Sequence, residues 1–119
     1  MFDHIGLRVK DLPRGIQFYQ SVLAPLGYVL CHQDATSAGF GPKGQPALWL
    51  YSASDARSTG HVAFRASERA AVDRFHAAGI SVGGSDHGAP GIRADYADNY
   101  YAAFLIDPDG NNVEAVCLT

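Results

Sequence analysis

Polar or small residues alternate with apolar ones along His4-Ile5-Gly6-Leu7-Arg8-Val9, and the same order returns at His61-Val62-Ala63-Phe64-Arg65-Ala66. A period of two marks a strand with one face buried. Both phrases therefore predict strands with His and Arg on one face and the apolar residues on the other. The first runs over residues 2–9. Asp11 then supplies an N-cap and Pro13 a first-turn position for a helix. Its stripe of Ile16, Tyr19, Val22 (or Leu23) and Leu26 stops at Gly27. Short strands follow at 28–31 and 37–40, and a stronger one at 46–52. Trp49 is expected in the core, because it alternates away from Leu48.

The repeat extends past the strands. Phe18 and Phe75 fall in helical stretches at the same separation as His4 and His61, and Gly41-Pro42-Lys43-Gly44-Gln45 resembles Asp107-Pro108-Asp109-Gly110-Asn111. Ser67 is the expected cap of a second helix, with Val72, Phe75 and Ala78 or Gly79 on one side. Residues 81–99, rich in Gly, Pro, Asp and Tyr, predict a long irregular loop, which in a compact domain is more often functional than connecting. Residues 100–106 and 112–118 predict a closing hairpin. A unit of strand, helix and a run of strands is thus made twice. One domain over 1–119 is expected, with a first module at 1–53, a second at 60–119 and a polar connector, 53–60, between them.

Composition narrows the partners. In 119 residues, 47% hydrophobic and 18% charged, a real core forms without staples. A net charge of −3 with no cluster of Lys or Arg argues against nucleic acid or an anionic membrane as main partner. No long apolar run predicts a membrane span, no signal peptide is visible, and Cys31 and Cys117 are isolated, so the expected compartment is cytoplasmic.

Two equivalent strands with equivalent histidines suggest a pseudo-two-fold that brings His4 and His61 together. Glu114 is a lone carboxylate in the apolar strand Val113 to Cys117, and a buried unpaired carboxylate calls for a cation or strong hydrogen bonds. Two imidazoles and a carboxylate suit zinc with an open position, or iron(II) and related metals. The two Pro/Gly turns place Leu48 opposite Glu114, where leucine cannot be a fourth ligand; water and substrate, or Gln45, would fill the vacancy. Arg8 and Arg65 either bind an anionic group of a substrate or pair with acidic neighbours. His87, Arg93, Tyr96 and Tyr100 are candidates to line a pocket, Tyr101 beside them, with loop packing as the alternative. His76 is expected to be solvated, and His32 has no evident partner.

His4-Ile5-Gly6-Leu7, Phe18-Tyr19, His61-Val62-Ala63-Phe64, and Tyr101-Ala102-Ala103-Phe104 through Asp107-Pro108-Asp109-Gly110-Asn111 to Glu114 together resemble the vicinal oxygen chelate superfamily of glyoxalases, bleomycin-resistance proteins and extradiol dioxygenases. The resemblance implies an α+β fold of two βαβββ modules, a curved mixed sheet around a central metal cleft, and a homodimer. It implies one divalent ion (Zn, Ni, Mn or Fe) on His4, His61 and Glu114, with the common fourth Glu or Gln missing at Leu48. The implied function is a lyase- or isomerase-type metalloenzyme acting on a small substrate with two adjacent oxygens. Glu114 itself, a tyrosine of the long loop or His87 would move the proton. An extradiol-type dioxygenase and a non-catalytic small-molecule binding protein are the alternatives.

Overall fold

A computed structural model describes residues 1–57 and 60–119; Ser58 and Thr59, within the expected connector, lie outside the described residues. The elements are β1 (Ile5–Val9), α1 (Leu12–Leu23), β2 (Val29–Gln33), β3 (Ser37–Gly41), β4 (Leu48–Ser52), β5 (His61–Arg65), α2 (Arg69–Ser81), β6 (Ser85–Ile92), β7 (Tyr101–Ile106) and β8 (Asn112–Cys117). They form two four-stranded mixed sheets, ordered β1-β4-β3-β2 and β5-β8-β7-β6. In each, the first strand lies parallel to the last and the other pairings are antiparallel. The expected α+β fold of twin βαβββ modules is the observed one.

The helices form as their sequences dictate. Asp11 accepts the Arg14 N–H at 3.1 Å as the cap of α1, and a short 3-10 turn ends at Gly27, whose φ of 87° suits a residue without Cβ. The cap of α2 is Glu68, without a side-chain bond, so the expected cap at Ser67 is not used. The apolar stripes of both helices meet between the sheets. Phe18, Tyr19, Val22, Leu50, Val72, Phe75, Leu105 and Val113 are all fully buried in one continuous core. At Gly79 a Cβ would lie 2.2 Å from Leu105 Cδ1 of its own module and 3.2 Å from Val22 Cγ1 of the other, so glycine suits this close packing.

The modules are also pinned by a buried polar knot. Tyr19 on α1 donates its hydroxyl to Asp107 Oδ2 at 2.5 Å, and the Asn111 side chain donates to the same oxygen at 2.7 Å. The backbone N–H groups of Asp109 and Asn111 donate to Asp107 Oδ1 at 2.9 and 2.8 Å. Burial and the neighbouring Asp107 carboxylate push the Tyr19 phenol well above its ordinary range.

The expected loop at 81–99 is a correction. Most of its first half is β6, paired with β7 at the sheet edge and bulged twice, between Asp86 and Gly88 and between Gly88 and Gly91. Bulges break the two-residue period, and an edge strand buries little, so no alternation announces it. Among the described residues, no helix is long and apolar enough to cross a membrane.

Candidate active site

Strand β8 divides its side chains between two faces. Val113, Ala115 and Cys117 enter the core, which leaves Asn112, Glu114 and Val116 on the opposite face of the sheet. The parallel register sets His61 level with Asn112 and Ala63 level with Glu114, while Phe104 of β7 lies level with Glu114 on the other side. There His61 Nε2 stands 2.9 Å from Glu114 Oε2. Glu114 is only 3% exposed, so its charge needs these partners. Its other oxygen accepts the Tyr100 hydroxyl at 2.5 Å. Burial first, then the hydrogen bond and charge of Glu114, hold the Tyr100 phenol up at about 12. Phe104 stacks on the His61 ring at 6.2 Å, the Arg93 guanidinium lies over Phe104 at 5.3 Å, and Tyr96 meets Tyr100 edge-on at 5.1 Å. The result is a cleft of about 350 Å³ lined by His61, Tyr96, Tyr100, Phe104, Asn112 and Glu114.

His4 is elsewhere. It precedes β1, meets Asp3 Oδ1 through Nδ1 at 2.6 Å, and lines a separate cleft of about 320 Å³ with Tyr28, Phe40, Phe64 and Arg65. Among the described residues no three His, Cys, Asp or Glu side chains converge. The structure thus unites His61 with Glu114 and leaves their expected companion on the other module.

The sheet register also corrects the position expected for a fourth ligand. Gly6, the repeat mate of Ala63, pairs with Trp49, and Leu48 pairs with Ile5, so the counterpart of Glu114 is Trp49 rather than Leu48. The first Pro/Gly turn is one residue longer, ending at Pro46, and matching the turns by their prolines therefore slips the strand by one. Leu48 is a core residue, whereas Trp49, expected in the core, is half-buried on the opposite face. Its indole lies 5.6 Å from the His32 ring and stacks at 6.4 Å on Tyr51.

The remaining candidates divide. Tyr96 and Tyr100 line the cleft, whereas Arg93 is outside its lining residues, lies over the Phe104 ring and spends Nη1 and Nη2 on the carbonyls of Gly91 and Ala89 at 2.9 and 2.7 Å. Arg8 pairs with Asp55 at 2.7 Å, which favours the acidic-neighbour reading. Arg65 lines the His4 cleft instead, and His87 is exposed on edge strand β6, outside the residues lining either cleft. His76, expected to be solvated, is largely covered and bonded to Asp86 at 2.9 Å, and His32 finds Asp34 at 2.8 Å. Asn112 and Phe104 escaped the sequence reading. Asn112 shares strand parity with Glu114, a signal that was legible; Phe104 becomes a neighbour only through the β7–β8 register.

The pair can serve a cation in part. The 2.9 Å between His61 Nε2 and Glu114 Oε2 is a hydrogen-bond contact, and two donors about 2.1 Å from one tetrahedral ion stand roughly 3.4 Å apart, so the pair would open slightly to share a cation. An imidazole and a carboxylate suit zinc or iron(II) alike, but two donors are half of a donor set.

The Glyoxalase/Bleomycin resistance protein/Dioxygenase superfamily model matches residues 1–115. A glyoxalase/bleomycin resistance protein from Albidiferax ferrireducens T118 superposes with a TM-score of 0.88 at 28% identity, covering 98% of each chain. A glyoxalase/bleomycin resistance protein/dioxygenase family enzyme from Burkholderia phytofirmans PsJN gives 0.75 at 19% identity, again over 98% of each chain. A putative glyoxalase from Bacillus halodurans gives 0.74 at 23% identity, over 98% of this chain and 95% of its own. No curated protein matches the chain. With nearly its whole length matched and the twin modules in place, the chain belongs to the Glyoxalase/Bleomycin resistance protein/Dioxygenase superfamily.

Proposed function

We propose that the protein is a metal-dependent enzyme of lyase or isomerase type, and that its site is completed by two copies of the chain. The observation that carries this is the His61–Glu114 pair, 2.9 Å apart and nearly buried on the carboxylate side, at the wall of an aromatic-lined cleft. His4 and His61 head β1 and β5, which are the free edges of their sheets. A two-fold partner that lays its β1 beside β5 would carry its own His4 to the pair, giving two imidazoles and a carboxylate. A divalent ion held there would supply Lewis-acid chemistry toward an oxygen-bearing substrate.

The chain's own residues do the rest. The contact between His61 Nε2 and Glu114 Oε2 sets the two donor atoms side by side, where both would face the ion. Tyr100 fixes the carboxylate through Oε1 and keeps its own proton across the physiological range, so it is a donor and not a base. Phe104, Tyr96 and Tyr100 give the cleft aromatic walls.

Subunit mixing tests the proposal. His4→Ala and Glu114→Ala should each lose metal by elemental analysis. Unfolding and refolding the two variants together should restore about a quarter of the wild-type metal per chain, because half of the randomly formed dimers carry one intact site of two. No restoration, or a wild-type monomer by light scattering, sinks the two-copy site. A second reading, a planar-ligand binding protein without chemistry, draws on one observation: the counterpart of Glu114 is the stacked indole of Trp49. Stoichiometric binding of a flat ligand to a protein that takes up no divalent ion would favour it.

A further inference from the structure

One polar group in the cleft has no structural task. Asn112 Oδ1 is buried and finds no hydrogen-bond donor among the described residues. Its neighbour Asn111 spends its own amide on Asp107 at 2.7 Å, holding the turn. Asn112 instead heads β8, level with His61, and lines the cleft beside Glu114. Its repeat mate in the first module is Ala47, so the carboxamide is not a demand of the fold. A screened acceptor left unpaired is destabilising, and such a group in a native structure calls for a reason.

The chemistry of the cleft says what would satisfy it. Glu114 has committed one oxygen to His61 and the other to Tyr100, so the carboxylate is not the free acceptor. The asparagine side chain turns about χ2 in a broad, two-fold torsional well. A half-turn exchanges its oxygen and nitrogen, so the acceptor can take either place of the carboxamide. The other walls are rings: Phe104, Tyr96 and Tyr100. Flat carbon frameworks stack on aromatic walls, and an O–H or N–H carried by such a framework can satisfy the amide oxygen.

We propose that Asn112 is a specificity-determining residue that accepts a hydrogen bond from a hydroxyl or N–H on a flat ligand held in this cleft. This rests on the function proposed above only in taking the cleft as the ligand site. It requires neither the ion nor the second copy.

Two probes that differ by one O–H and chelate nothing test it: 2-naphthol and 2-methoxynaphthalene, titrated at neutral pH into full-length protein stripped with EDTA and followed by NMR. Wild type should bind 2-naphthol about tenfold more tightly, the worth of one hydrogen bond. Asn112→Ala should lose that preference by weakening 2-naphthol alone. Asn112→Asp, which keeps an acceptor of the same size, should restore it. Equal binding of the two probes to wild type, equal loss of both in Asn112→Ala, or binding of neither overturns the proposal. Metal uptake by Asn112→Ala, measured separately, should match wild type. A protein that takes up no metal yet discriminates the probes refutes the metal site and leaves Asn112 standing, whereas normal uptake without discrimination does the reverse.

Discussion

Replacing Tyr19 with Phe removes one oxygen from the buried knot between the modules and leaves the ring packing intact. The lost bond is a 2.5 Å contact from a neutral hydroxyl to the Asp107 carboxylate. Asp107 keeps the Asn111 amide and two backbone N–H groups, so it is not orphaned. The cost is then that of one hydrogen bond to a charged group, about 2 kcal/mol. For a chain of 119 residues the entropy of unfolding makes each kcal/mol worth about 4 °C, so a fall in Tm of roughly 8 °C is expected. The pH dependence adds an independent readout. A phenol raised in the fold contributes stability that is whole below the unfolded pKa near 10 and is lost as pH rises through the folded value. Wild type should therefore lose stability steeply above about pH 10, and Tyr19→Phe should lose less. Thermal melts by circular dichroism between pH 7 and 11 decide it. A Tm within about 1 °C of wild type, or the same alkaline slope in both proteins, refutes the account.

Two further outcomes follow from close contacts and charges. Gly79→Ala places a methyl 2.2 Å from Leu105 Cδ1 and should cost about 1–3 kcal/mol in urea unfolding, with Leu105→Ala in the same chain relieving part of it. Asp86 is held below its usual carboxylate range, first by the Gly88 N–H and then by His76. A depressed carboxylate contributes stability that is present above its unfolded pKa and lost as pH falls through the folded value, so Asp86→Asn should flatten the acid limb of the stability profile below about pH 4.

The fold was legible in the sequence because it is written twice. Matching His4–Val9 with His61–Ala66 exposed the module, and within each copy the two-residue and helical periods marked strand and helix. β6 escaped because its bulges and edge position erase the period. The Asp107–Asn111 turn, the most specific piece of the motif, carries a structural duty that spacing could not reveal: its carboxylate receives a tyrosine from the other module. At the site, residue types identified His61 and Glu114 as partners. Which position opposes Glu114 depended on a turn one residue longer than its twin, and a single-residue slip turns a strand inside out. His4 shows the remaining limit, since a repeat in one chain cannot say whether its two halves face each other or face a second copy.

Trp49 is the single tryptophan of the chain. It is half-buried beside His32, on the module that does not hold the imidazole–carboxylate pair. The chain thereby carries its one tryptophan fluorophore at an informative place. In a two-chain site its emission would report on the neighbour's cleft, and a shift on dilution would measure assembly without any label.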